Sequence, residues 1–308
     1  MILNLVLNNN NVVSGSNNTR YKYTFNAPLE ILDEAEMTIA NITMPYSWFN
    51  ITVRNANNTC TFFFPNTIGF GGFAVTFPDG YYTVDDLNAY LQQQCIINGY
   101  YLIDENENNV FYFTLLYNPT YYAVQAIGQA VPTSLPAGWT QPSNWNGYPV
   151  VVNQTPKLGS VSAGLGKILG WPAGEIGTTS PSYSFLSPLV PQGSVVNSLV
   201  IRSNIINNDS GFPTDVLDTM PITSSFGTNI NYSPPTLKWI KCTAGTFQFF
   251  EVFFCDQNLN PMFILDNNVC ISILLKNKGK IISSNINDNE TEGRSEKLVQ
   301  RLAFQLEE

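Results

Sequence analysis

Hydrophobic and polar residues alternate with a period of two over much of the first 275 positions, in runs too short for helices. Residues 2–7 alternate, and residues 21–25 do so with Tyr21, Tyr23 and Phe25 on one face. Residues 36–44 place Met37, Ile39 and Asn41 on one side and Thr38, Ala40, Ile42 and Met44 on the other. Further strand-like runs cover residues 50–53, 60–64, 100–103, 110–117, 198–206, 246–255 and 269–275, with Asn-rich or acidic turns between several of them. Pro and Gly recur at strand-and-turn intervals, which predicts a β-sandwich or barrel rather than βαβ units.

Two helices interrupt this pattern. Thr83-Val84-Asp85-Asp86 is a capping box, and Val84, Leu87, Tyr90, Leu91 and Cys95 follow on one face before the Asn98-Gly99 stop. A shorter helix is predicted over residues 163–169, ending at Gly170. Residues 121–196, rich in Pro, Gly, Trp and Ser, read as long loops or an inserted segment within a domain spanning 1–275. Residues 276–308 change character. Charge crowds in, and Leu298, Leu302 and Leu306 fall on a helical stripe suited to docking on a partner.

Composition narrows the chemistry. The chain has 308 residues, 37 of them Asn and none of them His. Without His, Ser-His-Asp and Cys-His catalysis and His-ligated metal sites are excluded, and no cofactor is expected. The net charge is −9, and residues 1–275 carry 17 acidic against 8 basic groups. Such a body repels phosphate backbones, so no nucleic-acid partner is expected. No run of 18 apolar residues occurs, which argues against membrane insertion. Five widely spaced cysteines without a C-x-x-C pair read as reduced, mostly buried thiols.

Several stretches imitate functional motifs. Gly164-Leu165-Gly166-Lys167 lacks the leading Gly and the Ser/Thr of a phosphate loop, and Gly69-Phe70-Gly71-Gly72 reads as a turn. The oxygen-rich segments 256–260 and 266–268 lack the Gly and terminal acid of a calcium loop and read as turns. The acidic pairs Glu34/Glu36 and Asp85/Asp86 sit at a strand start and a helix N-terminus, where structure accounts for them. Only Lys157, Lys167 and Glu175 are charged between residues 108 and 201. In that stretch Trp139, Trp145, Tyr148 and Trp171 are candidates for a subunit interface. Exposed aromatics also suit sugar stacking, so a carbohydrate-binding jelly roll, such as a viral surface attachment protein, stays open. A carboxylate-based glycoside hydrolase is a weaker rival.

Tyr46-Ser47-Trp48-Phe49-Asn50-Ile51, Pro78-Asp79-Gly80-Tyr81-Tyr82-Thr83-Val84-Asp85-Asp86 and Lys167-Ile168-Leu169-Gly170-Trp171-Pro172 occur in that order. They are followed by Phe226-Gly227-Thr228-Asn229-Ile230-Asn231-Tyr232, Asp256-Gln257-Asn258 and Leu265-Asp266-Asn267-Asn268-Val269. Together they resemble the penton, or minor capsid, proteins of virophages and Polinton-like viruses. The resemblance implies a single jelly roll of two antiparallel sheets and a structural rather than enzymatic role. It also implies a homopentamer at the fivefold vertices of a virion, in contact with a double-jelly-roll major capsid protein. Synthesis in the host cytoplasm is the accompanying expectation.

Overall fold

The computed structural model describes residues 2–66, 69–147, 154–179 and 182–277. Contacts divide the chain into two compact units, Met1–Tyr46 joined by the chain from Ser198 onward, and Ser47–Asn197. Strands β1 (Ile2–Leu7), β2 (Arg20–Ile31) and β3 (Glu36–Pro45) open the first unit. The second unit contains β4 (Thr59–Asn66), β5 (Gly69–Thr76), helix α1 (Val84–Asn98), β6 (Leu102–Ile103) and β7 (Asn109–Val110). It continues with β8 (Phe113–Asn118), β9 (Ala123–Gly128), β10 (Lys157–Val161), helix α2 (Ala163–Leu169), β11 (Gly174–Ile176) and β12 (Tyr183–Leu186). The chain then completes the first unit with β13 (Ser198–Ser203), β14 (Val216–Pro221), β15 (Asn229–Tyr232), β16 (Ile240–Lys241), β17 (Gly245–Asp256) and β18 (Cys270–Lys276).

The first unit is a jelly roll. One sheet runs β1-β18-β3-β15, with the two-residue β16 also on β3, and the other runs β14-β13-β17-β2. Leaving out β16 and numbering this unit's strands one to eight, the sheets read 1-8-3-6 and 5-4-7-2. Pairing first with last and second with seventh is the doubled Greek-key winding of that fold. Every pairing is antiparallel. Alternation supplies the core: Ile271, Ile273 and Leu275 of β18, and Phe250, Val252 and Phe254 of β17, are all buried. Burying each such side chain contributes roughly 1.5–3 kcal/mol.

Strict alternation fails in β3. Ser272 faces Asn41 but the next residue, Ile273, faces Ile39, so Ala40 is an extra residue in a bulge. The bulge switches the strand's faces, and Met37, Ile39, Ile42 and Met44 all enter the core. Period-two reading, which set Ile39 opposite Ile42, has no means of seeing it.

The inserted unit has its own core, centred on Phe62, Phe64, Phe77, Leu91, Val124 and Ile168. Its larger sheets run β11-β10-β4-β5 and β12-β9-β8. Helix α1 begins at the expected capping box. Thr83 Oγ1 accepts from the Asp86 N–H at 3.2 Å, and the Asp86 carboxylate accepts from the Thr83 N–H at 2.9 Å. It buries Leu87, Leu91 and Cys95 and stops at Gly99 in the left-handed region, φ 71°. Helix α2 ends at Gly170, also left-handed.

Three local expectations are corrected. Residues 69–72 belong to strand β5, where a Cβ on Gly72 would lie 2.6 Å from the Phe62 carbonyl oxygen. The glycine there permits close strand approach rather than a turn. Residues 50–53 form no strand, and only Ile51 makes an isolated bridge, to Gly80. Within residues 121–196, read as long loops or an inserted segment, strands β9 to β12 stand beside the expected helix α2, so the loop alternative fails. Leu298, Leu302 and Leu306 lie outside the described residues.

Candidate functional site

A buried asparagine organises the most distinctive surface of the inserted unit. Asn50 is 1% exposed. Its Nδ2 donates to the carbonyl oxygens of Tyr82 and Gly193, each at 2.8 Å, and its Oδ1 accepts from the Tyr82 N–H at 2.8 Å. Asn57 Nδ2 donates to the Asn50 carbonyl at 2.8 Å, fixing the asparagine's own backbone. With its amide satisfied on both sides, Asn50 holds the segment before α1 against the loop at residues 191–193.

Between those two walls lies a cleft of about 250 Å³, lined by Tyr81, Tyr82, Thr83, Val84, Tyr117, Tyr122, Ile168, Pro191 and Gly193. No charged side chain lines it. Tyr82 packs edge-on against Phe77, with ring centroids 5.9 Å apart, and its hydroxyl donates to the Pro78 carbonyl at 2.9 Å. Burial, then the neighbouring Tyr90, Asp79 and Asp86, push the Tyr82 phenol pKa upward, which keeps it neutral.

Tyr117 and Tyr122 come from the β8–β9 hairpin, where the Tyr122 N–H donates to Pro119 O at 3.3 Å. Their rings meet edge to face at 6.3 Å. Tyr122 has φ 48°, a left-handed conformation that Gly or Asn adopts far more readily than an aromatic residue. Yet Tyr121 and Tyr122 are 67% and 61% exposed, so core burial does not compensate that strain. Exposed Phe185, Leu186, Leu189 and Val190 also belong to this unit.

Of the aromatics singled out from sequence, Trp139, Trp145 and Trp171 are not among the residues that line this cleft. Trp171 is buried in the insert's own core, so its ring is not available to a neighbouring subunit. Trp139 and Trp145 are half-buried against the same core, and Trp145 packs edge-on against Phe64 at 6.0 Å. Tyr148 lies outside the described residues. Sequence reading gives the tyrosines of the cleft no binding role, although three of the four fall in the doublets Tyr81-Tyr82 and Tyr121-Tyr122.

The oxygen-rich segments behave as turns. Asp256 Oδ1 accepts from the backbone N–H groups of Asn258 and Asn260, both at 2.8 Å, and Asp266 does likewise for Asn268 at 2.9 Å. Among the described residues, no three His, Cys, Asp or Glu side chains gather to hold a metal ion. Glu36 pairs with Lys276 at 3.1 Å, while Asp86 caps α1.

No protein-family model and no curated protein matches the chain. Among solved structures it is similar to a chain of the Sputnik virophage, at 11% identity and a TM-score of 0.37, over 90% of this chain and 97% of that one. It is also similar to the mavirus penton protein, at 12% identity and a TM-score of 0.45, over 90% of this chain and 99% of that one.

Proposed function

We propose that the protein is a structural capsid subunit, occupying the vertices of an icosahedral virion as a penton. The observation that carries this reading is the strand order of the first unit, a complete jelly roll of the kind that builds viral capsids. The sequence stretches quoted above, which resemble virophage pentons, favour a capsid over the other uses of that fold. In this reading five copies make a closed ring of heterologous contacts, flanked by a double-jelly-roll major capsid protein. The protein is made in the host cytoplasm and acts without catalysis.

One edge of the jelly roll suits such contacts. Strand β1 carries no charge and no proline, and exposes Ile2 at 58% and Val6 at 45%. The edge strand β2, by contrast, is guarded by Arg20, Lys22, Pro28 and Glu30. Unguarded edges of this kind recruit another chain. The test is averaged electron-microscopy density of the assembled particle. Five copies around each fivefold axis are expected, whereas sixfold placement, or location inside the shell, would exclude a penton.

A further inference from the structure

We propose that the tyrosine cleft of the inserted unit binds one ring of a neutral saccharide, an activity separate from capsid assembly. Three features of the cleft select this ligand class. Its volume of about 250 Å³ lies just below the roughly 300–1,000 Å³ of pockets for drug-sized ligands, so it admits one ring rather than an extended chain. It offers no charged side chain, so phosphate, sialic acid or an acidic peptide finds no counter-charge there. Its lining does include four phenols with their hydroxyls, of which that of Tyr82 already donates to the Pro78 carbonyl oxygen. A wholly apolar ligand would strip water from those hydroxyls without replacing their hydrogen bonds. A neutral sugar presents C–H faces to the rings and hydroxyls to the phenols.

The cleft is also built in advance. Asn50 fixes the Tyr82 and Gly193 walls through three hydrogen bonds, so little ordering remains when a ligand enters. The opposite wall holds Tyr122 at φ 48°, in a turn where glycine would sit without strain. Among the described non-glycine residues with positive φ, Tyr122 is the one aromatic, and an exposed aromatic held so at a cleft is the pattern expected where binding, rather than folding, dictates the residue. A proline-rich peptide is the other ligand that aromatic grooves favour. It needs an elongated groove for a helix rising 3.1 Å per residue, and this cleft has room for a single ring.

The test uses the full-length protein with methyl glycosides of glucose, galactose and mannose, followed by saturation-transfer NMR. Sialyllactose and a hexaproline peptide serve as comparison ligands. At least one neutral glycoside should bind in the millimolar range, with the sugar C–H protons saturated from the aromatic resonances. Tyr117→Ala and Tyr122→Gly should each weaken that binding roughly tenfold or more. Tyr122→Gly should keep or raise the melting temperature, which separates lost binding from lost folding. Failure of all three glycosides to bind overturns the proposal. So does binding that both substitutions leave unchanged, or capture of hexaproline or sialyllactose in place of the neutral sugars.

Discussion

The Tyr232 hydroxyl donates a 2.7 Å hydrogen bond to Oδ2 of Asp218, tying β15 at the edge of one jelly-roll sheet to β14 at the edge of the other. Asp218 is 8% exposed and also accepts from the Thr219 N–H at 2.9 Å, with Lys238 Nζ at 3.5 Å. A buried carboxylate must be matched by such donors. Tyr232→Phe removes one of them and should cost about 1–2 kcal/mol. Urea unfolding measures this directly, and combining it with Asp218→Asn should give less than the sum of the two losses. An unchanged midpoint in Tyr232→Phe would show that the bond contributes nothing.

Stability should stay level from pH 6 to 8 and fall in alkali. No His is present to titrate in the neutral range. Burial pushes the thiols of Cys60, Cys95 and Cys242 up to about 12, and for Cys242 the nearby Glu36 adds to the effect. Burial also raises Tyr112 to about 12, and raises Tyr21, Tyr183 and Tyr232 as well. A raised folded pKa contributes stability that is complete below the unfolded value, about 8.5 for Cys and 10 for Tyr, and is lost as pH climbs past it. Melting temperature followed by circular dichroism should therefore decline from about pH 9 upward. A fall of several degrees between pH 6 and 8 would contradict this.

Asn50→Ala should be among the most damaging single changes in the insert. It deletes three hydrogen bonds and strands the carbonyls of Tyr82 and Gly193 and the N–H of Tyr82, for a loss of about 2–4 kcal/mol. Chemical denaturation of the variant gives the figure. A cost under about 0.5 kcal/mol, the scale of a surface substitution, would mean that water replaces the amide freely.

One thiol should react readily in the native protein. Cys60, Cys95, Cys242 and Cys255 are buried, but Cys270 at the start of β18 is exposed. A colorimetric thiol reagent should titrate a single fast group, with the other four released on denaturation. Cys270→Ser should abolish the fast phase. Its persistence would mean that one of the buried thiols opens to solvent.

Val6→Lys places a charge on the exposed face of the unguarded β1 edge. The fold should be preserved, because exposed substitutions of this type stay within about 0.5 kcal/mol. Incorporation into particles should drop when the variant is co-expressed with the major capsid protein. Normal occupancy would remove β1 from the assembly contacts.

The strand runs at residues 2–7 and 246–255 were legible because buried and more exposed residues largely alternate along them, and the run at 198–206 because Leu199-Val200-Ile201 is a continuous apolar stretch, buried on both faces. The capping box at Thr83 and the stops at Gly99 and Gly170 were legible because cap chemistry is local. The boundary after Tyr46 was not, since the insert's strands alternate like those of the jelly roll and no change of composition marks the seam. Trp171 read as an interface residue because few charges surround it in sequence, yet that same lack of charge belongs to a second core. The cleft was hidden for a further reason. Its walls come from residues 81–84, 117, 122, 168, 191 and 193, which contacts such as the Asn50 hydrogen bonds and the Gln192 N–H donating to the Lys167 carbonyl oxygen at 2.9 Å bring together.

Strand β1 pairs along its length with β18, and Asn4 meets Ser272 across 268 intervening steps of sequence at 3.0 Å. A ribosome therefore releases three of the jelly roll's strands long before their partners exist. The insert needs nothing outside Ser47–Asn197 for its own sheets and core, so it is ready to fold while the rest is still being translated. Until β18 emerges, β1 to β3 wait with their apolar faces uncovered. Closure of so long a loop makes the last step slow. Yield in the cell should consequently depend on chaperones that shelter those first 46 residues, and on translation speed through β13 to β18, more than on the final stability of either unit.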